Sequence, residues 1–175
     1  LLDCGFTAPS QYWKACSDPN DLDAVWISHF HGDHFFGLPA LLLRFWEQKR
    51  AKPLAVIGQD GIREKALQAM ELAYPSFLPK LEYALGFHVA TPGRELTVSG
   101  LSWKVALSGH GQSNLSVRIG DGRSAAFYSG DGMPTGETLD LARGSDLVIH
   151  EAFRLSGTTP DRKSTRLNSS HRIRS

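Results

Sequence analysis

The sequence predicts one mixed α/β domain with much antiparallel sheet, and three observations point there. Short apolar runs alternate with helical patterns in the first half, strand-length runs separated by turn residues dominate the second, and no repeat or linker interrupts Leu1 to about Leu155. With 175 residues, 41% of them hydrophobic, the chain is long enough to bury one core.

LLDCG reads as the end of a buried strand entering a Gly turn, and Asp23 to Ser28 (DAVWIS) as a second apolar strand. From Leu38 the spacing becomes helical through LPALLLRFWEQKR. Pro39 falls in its first turn, where a missing N–H costs little, and basic residues gather near its end. His29 to Gly37 therefore lie in a strand-to-helix loop. LAVIG after Pro53 reads as a short buried strand. Asp60 is expected to cap a helix from Gly61 to Ala73, ended by the Pro-rich break Tyr74 to Pro79. Strands are expected over Phe87 to Ala90, Glu95 to Val98, Leu101 to Leu107, Leu115 to Ile119 and Ser124 to Tyr128, with Asp121–Gly122 closing the last two into a hairpin. A short helix over Thr135 to Ala142 leads into a final strand, Asp146 to Ile149.

From Asp161 the character changes. DRKSTRLNSSHRIRS has no hydrophobic periodicity, and DRKSTRLNSSH resembles one reading frame of a sequencing-library adapter, so Asp161 to Ser175 is expected to be a disordered, non-native tail rather than part of the domain. A disordered basic tail is the alternative. The whole chain carries 19 Lys and Arg against 18 Asp and Glu; the tail holds five of the former and one of the latter, which leaves 14 against 17, a net charge of −3. A slightly acidic body offers nothing for non-specific attraction to nucleic acid or an anionic membrane. Cys4 and Cys16 match no metal or disulfide pattern and are expected to be reduced thiols. No apolar run approaches the roughly 18 residues of a spanning helix, so a soluble, cytoplasmic protein is expected; a signal peptide stays open because the chain begins at Leu1 in mid-strand.

The dominant chemical signal is SHFHGDHFFG, with three histidines and an aspartate within six positions. Zinc takes imidazole nitrogen and carboxylate oxygen, and a loop leaving a strand can turn alternating side chains toward one point. His29 and His31 can serve one metal while Asp33 and His34 reach a second, and Gly32 and Gly37 permit the tight backbone that such a loop needs. A solvated His-rich loop is the alternative.

HFHGDH matches the His-x-His-x-Asp-His signature, and on it the chain resembles the metallo-β-lactamase superfamily, over nearly all of Leu1 to Phe153. The resemblance implies an αββα sandwich, truncated here at both ends. It implies that Asp3 braces the metal loop, that His110 in LSGHG completes a first site with His29 and His31, and that Asp131 in YSGDG bridges both metals. DLVIHEAF resembles the His-Glu-Ala strand of the RNase Z and phosphodiesterase-like branch. His150 and Glu151 then become candidates for support or proton transfer, counted with Asp33 as catalytic residues. His88 matches no motif. The resemblance also implies a last ligand histidine after that strand. The only later one is His171, in the suspect tail and not assigned, so the second site is expected to lack one protein ligand and to bind more weakly.

The implied activity is hydrolysis by a metal-activated hydroxide, with two Zn2+ expected and Mn2+ or Fe as alternatives. Asp131 stands where one group of β-lactamases carries Cys, and His31 where the di-iron oxygen reductases carry Glu, which argues against both chemistries. The His-Glu-Ala element implies a phosphodiester substrate, a small molecule or a nucleotide. RNase Z enzymes of bacteria place a basic, Gly-rich arm for transfer RNA between the ligands matched by His110 and Asp131; here 21 positions separate them, mostly a hairpin. An RNase Z-like phosphodiesterase without that arm is therefore expected, with RNA binding and a homodimer left open and no membrane partner. Thioester or lactone hydrolysis on the same metals, and a metal-binding domain inactive through truncation, are the alternatives.

Overall fold

The computed structural model describes residues 1–152. Phe153, His171 and the tail from Asp161 to Ser175 lie outside the described residues. The chain divides into two compact units, Leu1–Val89 and Ala90–Ser175.

The first unit is built on a parallel three-stranded sheet, order β1-β2-β3, from β1 (Ala24–Ile27), β2 (Leu54–Gly58) and β3 (Leu85–Val89). β1 and β2 are buried along their whole length, as continuous apolar runs in a parallel sheet should be. Parallel neighbours need long crossovers, and the helices supply them. α3 (Leu38–Glu47) buries Leu38, Leu41, Leu42 and Phe45, one face at helical spacing. α4 (Ile62–Ala73) does the same with Ile62, Ala66 and Met70. The first expected strand shrinks to a single parallel bridge between Leu2 and Trp26.

Two local expectations are corrected. Asp60 does not cap α4: Gly61 holds the cap position in a left-handed conformation, φ +82°, with no side-chain cap bond. The loop from His29 to Gly37 is not wholly irregular, since α2 (Gly32–Phe35) makes one helical turn inside it. A helix that the apolar pattern hardly signals, α1 (Ala8–Ala15), buries only Pro9 and Tyr12.

Arg50 is the unit's buried cation, 1% exposed. It donates to the carbonyls of Pro19, Leu22 (2.7 Å) and Pro53 (2.7 Å), and its guanidinium lies 4.8 Å from the centre of the Phe45 ring. One side chain thus ties the segment before β1 to the start of β2.

The second unit is a five-stranded sheet, order β4-β5-β6-β7-β8, from β4 (Leu96–Val98), β5 (Leu101–Leu107), β6 (Leu115–Gly120), β7 (Ala125–Tyr128) and β8 (Leu147–Ile149). The first four strands pair antiparallel. The Asp121–Gly122 hairpin forms as expected, with Gly122 at φ +87° and the Asp121 carboxylate accepting the N–H groups of Arg123 and Ser124, both at 2.8 Å. β8 instead joins β7 in parallel, which requires a crossover, and α5 (Gly136–Ala142) provides it. Thr135 and Thr138 form the capping box at its start, and Arg118 donates to the Arg143 and Gly144 carbonyls at its end. Among the described residues, no helix is long and apolar enough to cross a membrane.

Candidate metal centre

The histidine loop begins where β1 ends at Ile27, and the first backbone N–H beyond the strand, that of Ser28, is taken by the Asp3 carboxylate. His29 is fully buried, and its Nε2 lies 2.9 Å from His31 Nδ1. The His34 ring centre is 4.3 Å from that of His29, so α2 folds its histidine back over the strand end. Asp33, on the same turn, has a side chain 69% exposed and an Oδ2 3.6 Å from His34 Nε2.

Asp3 organises this cluster. It is 6% exposed and sits at φ +55°, a conformation Asp tolerates better than most residues. Its carboxylate accepts the Ser28 N–H at 2.7 Å and the Ser28 hydroxyl at 2.8 Å, and His34 Nδ1 stands 2.6 Å away. A carboxylate can only accept, so His34 carries its proton on Nδ1. The Ser28 hydroxyl, having given its proton to Asp3, accepts from His29 Nδ1 at 3.0 Å. Both rings are thereby held in the tautomer that turns an Nε2 lone pair away from Asp3, the arrangement that metal-ligating histidines take. With the His29 lone pair so directed, either a proton on His31 Nδ1 or a cation must occupy the 2.9 Å between the two nitrogens. Tetrahedral zinc with bonds of 2.0–2.1 Å holds its nitrogens about 3.3 Å apart. The donor set and its spacing therefore fit zinc with little movement.

Backbone packing makes the loop tight, and the reason differs from the one expected. Gly37 has an ordinary negative φ, but a Cβ there would lie 2.1 Å from the Gly5 carbonyl oxygen, and one on Gly5 would lie 1.7 Å from that of Asp33. Close approach, not backbone conformation, demands these glycines. The Cys4 N–H donates to the His34 carbonyl at 2.7 Å and the Gly37 N–H to the Cys4 carbonyl at 2.8 Å.

In the second unit, His110 follows β5 and Asp131 follows β7, both half-buried. Their loops lie side by side, because Gly109 and Met133 exchange backbone hydrogen bonds of 3.0 and 2.8 Å. Asn114, fully buried, joins them: its Oδ1 accepts the Asp131 N–H at 3.2 Å, and its Nδ2 donates to Ser108 Oγ at 2.6 Å and the Ser129 carbonyl at 2.9 Å. Glu151 accepts the Gly132 N–H at 2.9 Å, next to Asp131, and its own N–H donates to Ser129 Oγ. His150 Nδ1 lies 2.9 Å from the Glu151 carbonyl oxygen. His88 lies within β3, as its strand pattern suggests.

Sequence reasoning found Asp3 and the histidines but missed Ser28 and Asn114. Neither has a motif of its own. The one available signal for Ser28 was its place immediately before His29 at the end of an apolar strand.

A family model described as Anti-Pycsar protein Apyc1 matches residues 1–159. The chain belongs to the Anti-Pycsar protein Apyc1 family. Like its structural relatives, this Apyc1-family chain has the metallo-β-lactamase fold. It is 24% identical to human tRNase Z, short form, with a TM-score of 0.71 over 86% of this chain and 66% of that one. With the metallo-β-lactamase fold protein YhfI from Bacillus subtilis the identity is 23% and the TM-score 0.65, over 85% of this chain and 57% of that one. Ribonuclease BN of Citrobacter koseri is 28% identical over 87% of this chain, which spans 65% of that relative's length.

Proposed function

We propose that this chain carries the metal-binding core of a metal-dependent hydrolase acting on phosphodiesters. The observation that supports this best is the Asp3–Ser28–His29 relay together with the Asp3–His34 bond, which spends a buried carboxylate on setting the tautomers of two histidines. A cluster built only for stability has no use for that control. In this reading the two units make one domain from Leu1 to about Leu155. His29, His31 and His110 would hold one zinc, and Asp33, His34 and Asp131 would hold a second. When bound, such a pair lowers the pKa of water toward neutrality and polarises the phosphoryl oxygen under attack.

The chain's own residues position and support. Asp3 and Ser28 orient the histidines, Asn114 and Glu151 hold the backbone on either side of Asp131, and Glu151 therefore serves as a positioning residue. His150 stands beside it as a candidate proton carrier. The names of two relatives, a ribonuclease and a tRNase, favour phosphodiester substrates, with RNA among them.

The test is metal content by plasma mass spectrometry alongside hydrolysis of bis(p-nitrophenyl) phosphate by the zinc-loaded chain. His29→Ala is expected to remove most bound zinc and all turnover, whereas His171→Ala changes neither. Zinc retained by His29→Ala at the wild-type ratio, or equal loss in both variants, would overturn the assignment.

A further inference from the structure

We infer that Phe6 and Phe36 form a stacking platform for the base of a nucleotide substrate, an inference that rests on the hydrolase reading above. Both are large apolar side chains left open to solvent, Phe6 67% and Phe36 58% exposed. They touch edge to face, with ring centres 6.3 Å apart and planes at 66°. A pair of aromatic rings displayed together is costly in water unless something covers it.

The backbone holds the pair firmly. Phe6 follows Gly5, which is pressed against the Asp33 carbonyl, and Phe36 caps α2 with its N–H on the Gly32 carbonyl at 3.0 Å. Phe36 also packs on Phe35, which is buried, at 5.9 Å between ring centres. An added Cβ on Gly32 would lie 2.9 Å from atoms of both the Phe6 and Phe36 rings. The platform therefore rests on the one residue between His31 and Asp33. A side chain at position 32 would displace it.

That placement selects the occupant. The histidine–aspartate loop suits a phosphodiester group, and the rings beside it suit a flat apolar group carried on the same molecule. A nucleotide carries both parts on one molecule, a flat base joined to phosphate through a sugar. Stacking of a base on an aromatic side chain is worth about tenfold to a hundredfold in binding when the ring is removed. Because every base has a flat face, the platform reads planarity rather than sequence.

The experiment compares thymidine 5′-(p-nitrophenyl phosphate) with methyl p-nitrophenyl phosphate, which share a leaving group but differ in the base. Phe6→Ala and Phe36→Ala are each expected to lower the ratio of kcat/KM, nucleotide over methyl ester, by about tenfold, and Phe6→Trp to restore it. An unchanged ratio overturns the inference. Binding of thymidine 5′-monophosphate to the zinc-loaded chain, by calorimetry, is expected to weaken about tenfold in Phe6→Ala. Wild-type protein that hydrolyses neither ester but shows this weakening defeats the hydrolase reading and supports the platform; no binding by wild type overturns the platform. Sedimentation gives the remaining arm: a wild-type dimer that Phe6→Ala converts to monomer would assign the rings to a second copy of the chain, which also overturns it.

Discussion

Replacing Asp3 by Asn separates the orienting role of this residue from its structural one. The Asn amide has nearly the same size, tolerates φ +55°, and can still accept the Ser28 N–H through its oxygen. Its NH2 group, however, meets two donors, the Ser28 hydroxyl and His34 Nδ1. The low-cost relief is for His34 to move its proton to Nε2 and for Ser28 to turn away, which removes the hold on His29 Nδ1 as well. Loss of such outer carboxylates costs about 10- to 100-fold in metal affinity, or roughly 1.4–2.7 kcal/mol. The apo fold loses less, about 1–2 kcal/mol, because the backbone bond survives. Asp3→Ala would instead strand all three donors and destabilise the apo protein by about 3–5 kcal/mol. Zinc competition against a chromophoric chelator measures the first quantity and urea unfolding of the metal-free protein the second. Wild-type zinc affinity in Asp3→Asn, with a stability loss as large as that of Asp3→Ala, would show that Asp3 is purely structural and refute the tautomer argument.

Arg50→Met should lower unfolding stability by about 1–3 kcal/mol in urea, since it removes a buried cation that holds the carbonyls of Pro19, Leu22 and Pro53 together; a loss under about 0.5 kcal/mol would mean that water replaces it. Cys4 is fully buried and its thiol is pushed up to about 12 by that burial, so at pH 8 Ellman's reagent should titrate only half-exposed Cys16 in the native chain and both thiols in guanidinium. The Asp121 carboxyl is held below the usual aspartate range by the Ser124 and Arg123 N–H groups. Its contribution to the hairpin is therefore present above the unfolded pKa and lost as pH falls through the folded one. A carbon-detected NMR titration should place its midpoint below the usual aspartate range, and Asp121→Asn should remove the acid-side change in the Arg123 and Ser124 amide shifts.

Elements with a strong period were legible in the sequence. LAVIG forms β2 from Leu54 to Gly58, and LSWKVAL forms β5 from Leu101 to Leu107, as their apolar runs indicate. α1 was missed because it buries only two of its eight residues, too weak a stripe to read. Asp60 was misjudged because a Gly next to it can take the left-handed position and start the helix without a side-chain cap. The parallel pairing of β8 on β7 could not be read at all. Strand direction within a sheet depends on the crossover, and nothing in DLVI encodes it.

What the sequence determined by itself was the cluster from His29 to His34 as a set of donors that could hold a metal, because ligand type and close spacing are local properties. The tertiary structure decided how those ligands are held. Asp3 reaches Ser28 across 25 positions and His34 across 31, and Asn114 reaches Asp131 across 17. Hydrogen bonds between residues so far apart exist only once the sheets have formed, so the tautomer of each histidine is a property of the fold rather than of the motif.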